Sequence, residues 1–113
     1  MNLPVDSLLL RIFIGESDRW KSQPLYEAIV LKAREMHLAG ATVLRGPMGF
    51  GVSSRLHTAK ILRLSEDLPM LIEIVDSEEN IRGFLPVLDT MIGGGLVTME
   101  RVQVIHYRRA PEF

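Results

Sequence analysis

The sequence contains no cysteine, which excludes disulfides, thiolate nucleophiles and cysteine-ligated metal centres. That absence fits a reducing compartment. Aromatic residues make up only 6% of the chain, with a single tryptophan. No excess of either charge is present: 13 basic against 14 acidic residues leave a net charge of −1. Such a balance gives no electrostatic basis for binding nucleic acid or an anionic membrane. Long apolar runs are also missing. Leu8-Leu9-Leu10 is broken at once by Arg11, and no basic stretch precedes it, so neither a signal peptide nor a membrane span is expected. A cytoplasmic location is expected. Internal repeats and low-complexity segments are absent as well.

What remains is an ordinary globular composition, 47% apolar and 24% charged over 113 residues, which predicts one domain spanning residues 1–113. The run Leu8 to Ile14 reads as a strand closed by Gly15. Pro24 fits the first turn of a helix, whose stripe is Leu25, Ala28, Ile29, Ala33 and Met36, with Gly40 as its stop. His37 falls at the end of that helix, where a cation complements the dipole. Ala41 to Arg45 is a short strand. The stretch from about 46 to 67 reads as a loop or a long hairpin arm, too rich in glycine at its start for a sheet interior. Met70 to Val75 is a strand. Ser77 caps a second helix with Glu78 and Glu79 in its first turn. Ile81, Phe84, Leu85, Leu88 and Ile92 form its apolar face, Pro86 predicts a kink, and Gly93-Gly94-Gly95 ends it. A last strand covers about Val97 to Tyr107.

The order β-α-β, arm, β-α-β predicts an α+β fold of the ferredoxin-like, split βαβ kind. Its four-stranded antiparallel sheet carries two helices on one face and an extended arm between strands 2 and 3. Leu10, Ile12, Ile14, Ile72, Ile74, Val102 and Val104 are expected to face the helices. The opposite parity, Leu9, Arg11, Phe13, Leu71, Glu73, Val75, Gln103, Ile105 and Tyr107, is too apolar to stay in water. Arg11 and Glu73 can pair across the two central strands. An apolar face with compensated charges predicts a subunit interface.

Candidate ligand residues fall in three places. Gly46, Gly49 and Gly51 let the backbone approach a ligand, and successive N–H groups can cradle an anion; a flexible turn is the plainer account. Ser53, Ser54, Arg55, His57 and Lys60 could supply charge-assisted hydrogen bonds to phosphate or carboxylate, or form a solvated arm. Gly93-Gly94-Gly95 exceeds what a helix cap requires, which leaves flexibility or a close approach to phosphate. His106 lies beside Tyr107 and Arg108 near the end of the last strand. Trp20 serves as a packing anchor or an exposed platform, and Glu16 and Asp18 as turn residues. His37, His57 and His106 are far apart, with no histidine pair at metal-ligand spacing, and no Ser/His/Asp arrangement is legible. No catalytic residue, metal or cofactor is therefore expected.

With these residues laid out, the sequence resembles the PII-like signalling superfamily. Within it, the chain is most similar to the PII-like proteins catalogued as domain of unknown function one-ninety. The similarity lies in Leu10-Arg-Ile-Phe-Ile-Gly-Glu-Ser17, Pro24-Leu-Tyr-Glu-Ala28, Gly40-Ala-Thr-Val-Leu-Arg-Gly46, Gly49-Phe-Gly51, His57-Thr-Ala59 and Leu68-Pro-Met-Leu-Ile-Glu-Ile-Val-Asp76, which together span nearly the whole chain. The resemblance implies a homotrimer with sheets facing inward, ligand clefts between neighbours, and an arm that signals to a membrane transport protein or enzyme. Gly46, Gly49, Phe50 and Gly51 at the arm base would line one side of the cleft. Gly93, Gly94, Gly95, His106 and Arg108 would line the other. Arg45, Arg55, His57 and Arg108 are the expected anion contacts, with the arm glycines giving backbone N–H groups. The turn after the second helix lacks the lysine of PII proteins, so AMP, ADP or a cyclic nucleotide is expected in preference to ATP. No tyrosine lies in the arm, so the covalent switch of some PII proteins is absent. The alternatives are a metal-responsive protein of the cation-tolerance type and an enzyme with an intersubunit active site.

Overall fold

The structure, a computed structural model, describes residues 2–51, 57–58, 67–108 and 110. Strand β1 (Asp6–Gly15) leads through a tiny hairpin, β2 (Arg19–Trp20) and β3 (Gln23–Pro24), into helix α1 (Leu25–Glu35). Then come β4 (Thr42–Arg45), the short arm pair β5 (Met48–Gly49) and β6 (His57–Thr58), β7 (Pro69–Asp76), α2 (Glu78–Asp89) and β8 (Leu96–Gln103). The main sheet is antiparallel in the order β4-β7-β1-β8, so the first and third long strands lie at its centre. This is the expected ferredoxin-like arrangement.

Alternation along β1 and β7 explains the layering. Leu8, Leu10, Ile12 and Ile14 cluster with Met70, Ile72 and Ile74, and the stripe residues of both helices close over them. Leu25, Ala28, Ile29 and Ala33 come from α1, and Ile81, Phe84 and Leu88 from α2. Each large apolar side chain so buried contributes about 1.5–3 kcal/mol relative to an exposed position. Ser77 caps α2 as expected, its Oγ accepting the Asn80 N–H at 3.1 Å. Pro86 lies inside that helix. Trp20 packs against the core, with the Lys21 ammonium 4.4 Å from its ring centroid.

Three expectations need correction. Helix α1 stops before Gly40. His37 takes the left-handed conformation (φ 62), the N–H of His37 bonds Arg34 O at 3.0 Å, and that of Leu38 bonds Ala33 O at 3.0 Å. This pair of bonds is a Schellman closure, with Leu38 returning to the core. Helix α2 ends at Asp89, ahead of the three glycines; Thr90 is the cap, and tight turns carry Ile92 back against the core.

The last strand ends at Gln103 instead of Tyr107, and its faces are reversed. Leu10 stands opposite Met99, Ile12 opposite Val97 and Leu8 opposite Arg101. Val97, Met99, Arg101 and Gln103 therefore share the helix side, while Val102 lies on the open side. A one-residue slip in register moves every side chain to the other face. Here both parities are apolar enough to mislead. Helix-side Arg101 is accommodated because it stands on the edge strand with its side chain 69% exposed, and its guanidinium reaches Glu78, in the first turn of α2, at 3.2 Å.

Candidate functional site

The open side of the sheet collects Leu9, Phe13, Leu44, Leu71, Val75, Leu96 and Val102, all paired in register across the four strands. Phe13, Leu44 and Leu96 are 37%, 49% and 57% exposed. At the centre of this apolar layer Arg11 Nε lies 2.9 Å from Glu73 Oε2, as its cross-strand position predicts. Arg11 Nη1 lies 2.6 Å from Glu100 Oε1. That second partner was not legible because it depends on the true register of β8. The hydrogen bond to Glu73 foremost, with Glu100 adding, raises the pKa of Arg11 above its ordinary value against an opposing desolvation. The guanidinium is a permanent cation held between two carboxylates.

The arm base sits at one end of this sheet. Gly46 donates its N–H to the Pro69 carbonyl at 2.8 Å. A Cβ on Gly46 or Gly49 would stand 2.8 or 2.9 Å from Cγ of the same proline, so both glycines let the chain pass over the Pro69 ring. Arg45, 56% exposed at its side chain, is bound to Glu16 at 2.9 Å, a partner that the sequence pattern does not reveal. The turn that holds Glu16 is fixed by its own polar contacts. Asp18 accepts the Gly15 N–H, Asp67 accepts the Ser17 N–H, and Leu68 O accepts the Glu16 N–H. Phe50 is 73% exposed. His57 enters through its pairing with Gly49. Ser53, Ser54 and Arg55, like Lys60, lie outside the described residues.

Gly93, Gly94 and Gly95 stand at the same end of the sheet but beside the opposite edge, leading into Leu96, which pairs with Phe13. Gly95 has φ 117, and a Cβ there would lie 2.6 Å from the Phe13 carbonyl oxygen. Only glycine fits. Around Gly93 and Gly94 nothing lies within 4 Å of the position a Cβ would take, so packing gives no reason for those two.

His106 and Arg108 belong to the other end. Arg108 Nη2 lies 3.0 Å from His106 Nδ1, and both side chains are exposed. Strand β1, ten residues long, separates the two ends by roughly 30 Å at about 3.3 Å per residue. One chain therefore does not bring the arm base and the His106–Arg108 pair together. Near the tail, a groove of about 580 Å³ is lined by Glu73, Val75 and Val102 of the sheet and by residues 104–107, His106 among them. Among the described residues, no three histidine or carboxylate side chains converge as metal ligands, and no helix is long and apolar enough to cross a membrane.

The sequence model of the DUF190 family, described as an uncharacterised ACR, matches residues 7–104. A UPF0166 protein of Aquifex aeolicus is 37% identical over 102 residues, covering 90% of this chain and 96% of that one. A UPF0166 protein of Methanocaldococcus jannaschii is 36% identical over 94 residues, covering 82% and 86%. Among solved structures, a protein of Thermus thermophilus classed as PII-like superposes with a TM-score of 0.63 at 17% identity, over 89% of this chain and 91% of its own. CPII, a nitrogen regulatory PII-like protein from Thiomonas intermedia bound to ADP, AMP and bicarbonate, gives 0.59 at 17% identity, over 88% of each chain. At that identity the likeness concerns the fold.

Proposed function

This chain belongs to the DUF190 family, and on that premise we propose that it is a PII-like regulatory protein: a homotrimer that binds a small anionic metabolite, an adenine nucleotide foremost, in clefts between subunits. The arm at about 46–67 reports occupancy to a membrane transport protein or an enzyme. Ligand binding biases the arm between conformations, and the partner reads the bias.

The observation that carries this proposal is the separation of ligand-competent groups to opposite ends of one sheet. Gly93 and Gly94, with open space where a Cβ would stand, offer backbone N–H groups at one end. The imidazole of His106 and the guanidinium of Arg108 offer side-chain donors at the other. Head-to-tail association of copies around a threefold axis, sheet faces inward, would set one end of each against the other end of its neighbour. Backbone N–H groups and a guanidinium fork are the donors that phosphate oxygens take up. CPII, of the same fold, has been seen with ADP and AMP, which makes the adenine nucleotides the first probes. Arg45, whose charge Glu16 already offsets, would have to exchange that carboxylate for the ligand.

Titration calorimetry with AMP, ADP, a cyclic nucleotide and bicarbonate tests the proposal. Saturable heat with at least one nucleotide, weakened by Arg108→Ala, is expected. An intact trimer that gives heat with none of them contradicts it.

A further inference from the structure

Strand β8 ends at Gln103, and Val104 makes the last backbone bond to the β1 side among the described residues. Strand β1 pairs with β8 only as far as Asp6 opposite Gln103, and Val104 gives its N–H to Val5 O at 2.7 Å. Ahead of Val5 stands Pro4, which has no N–H and whose carbonyl accepts the Ser7 hydroxyl at 2.8 Å. Ile105, the next residue, is 89% exposed.

The following fixed point is a side chain. The Tyr107 hydroxyl donates to the Ala39 carbonyl at 2.9 Å, in the turn between α1 and β4, on the far side of the sheet end. Ala39 is itself held by a buried acid: its N–H donates to Asp76 Oδ2 at 2.8 Å. Asp76 is 1% exposed, and its Oδ1 accepts the Ser77 N–H at 2.6 Å and Asn80 Nδ2 at 3.1 Å. The landing point is therefore rigid, while the segment that reaches it has already left the sheet. His106 and Arg108 touch one another and so share a side, with Tyr107 directed to the other.

We infer that Tyr107 is a positioning residue: its hydroxyl, latched to Ala39, fixes the tail so that His106 and Arg108 present a paired imidazole and guanidinium to an anionic ligand. This rests on the functional reading above. Without the latch, both side chains sample many orientations and binding has to order them, at a cost in affinity.

The test is Tyr107→Phe, which keeps the ring and removes only the donor. Amide order parameters of residues 105–108 and the affinity for ADP are measured in both proteins. The expected result is an unchanged melting temperature and subunit number, order parameters falling from about 0.85 to below about 0.6, and ADP affinity weaker by about three- to tenfold. Unchanged order parameters overturn the latch. Loosened amides with unchanged ADP affinity overturn the positioning role. If the wild-type protein binds none of AMP, ADP, the cyclic nucleotide and bicarbonate, the functional reading and the ligand half of this inference fall together. If it binds one of them but not ADP, the affinity comparison is made with that ligand, and the order parameters decide the latch in every case.

Discussion

Arg11 and Glu73 face one another across the two central strands, Nε 2.9 Å from Oε2, and Glu100, on the edge strand β8, closes on the same guanidinium at 2.6 Å. In an isolated chain such partly exposed pairs contribute little. When association covers the open face, their balance becomes decisive, because an unpaired charge taken out of water is costly. Arg11→Met leaves the carboxylates of Glu73 and Glu100 without the cation they share and is expected to weaken self-association by about tenfold or more while scarcely moving the melting of the single chain. Adding Glu73→Gln and Glu100→Gln is expected to restore it. Sedimentation equilibrium of the two variants reads both outcomes, and an unaffected subunit number in Arg11→Met places the interface elsewhere.

Much of this face was legible beforehand because β1 and β7 alternate cleanly. Leu10, Ile12, Ile72 and Ile74 have one parity, and Arg11 and Glu73 the other, so the cross-strand pair follows from the strand order. Strand β8 resisted the same treatment. It is an edge strand flanked only by β1, its helix side includes Met99 and Arg101, and its apolar Val102 faces outward. Periodicity could not choose between two half-apolar faces. The ends of the helices were misplaced for a related reason. Glycine is the usual occupant of a left-handed closure, yet His37 fills that position here, and Leu38, two residues past the cap, was the signal that could have revealed it. The second half of the site was legible as residue types, but its division between two ends of the sheet follows only from register.

Two arm glycines are explained by one proline. Gly46→Ala and Gly49→Ala each push a methyl into Pro69, an overpacking expected to cost about 1–3 kcal/mol. In a Pro69→Ala background the cost is expected to shrink, so that the double variants are less destabilised than the sum of the singles. Chemical denaturation of the four proteins in each cycle checks this. Strict additivity contradicts the contact.

The three glycines before β8 are expected to separate into two kinds. Gly95→Ala meets both a positive φ and the Phe13 carbonyl and is expected to destabilise the fold by about 1 kcal/mol or more. Gly93→Ala and Gly94→Ala, with open space around them, are expected to stay within about 0.5 kcal/mol of the parent while reducing nucleotide affinity. Thermal melts and calorimetry on the three variants separate packing from ligand approach. Unchanged affinity in both Gly93→Ala and Gly94→Ala removes this turn from the site.

Glu78 ties the start of α2 to Arg82 at 2.8 Å and to Arg101 at 3.2 Å. The hydrogen bond from Arg82 foremost, then that from Arg101, holds its pKa below the ordinary value. A carboxyl depressed in the folded state contributes stability at pH values above its unfolded pKa of about 4.3, and that contribution is lost as pH falls through the folded value. Glu78→Gln is therefore expected to be less stable than the parent at neutral pH, with the difference shrinking on acidification below about pH 4. Denaturant melts across that range check the sign. A difference that grows in acid contradicts it.

Sedimentation velocity of the unmodified protein through the micromolar range asks most directly whether the apolar sheet face is covered by further copies of the chain. A single boundary at three times the 12.7 kDa of the chain is the predicted result. A single-chain boundary at every concentration contradicts it, because the two ends of the proposed site would then never meet.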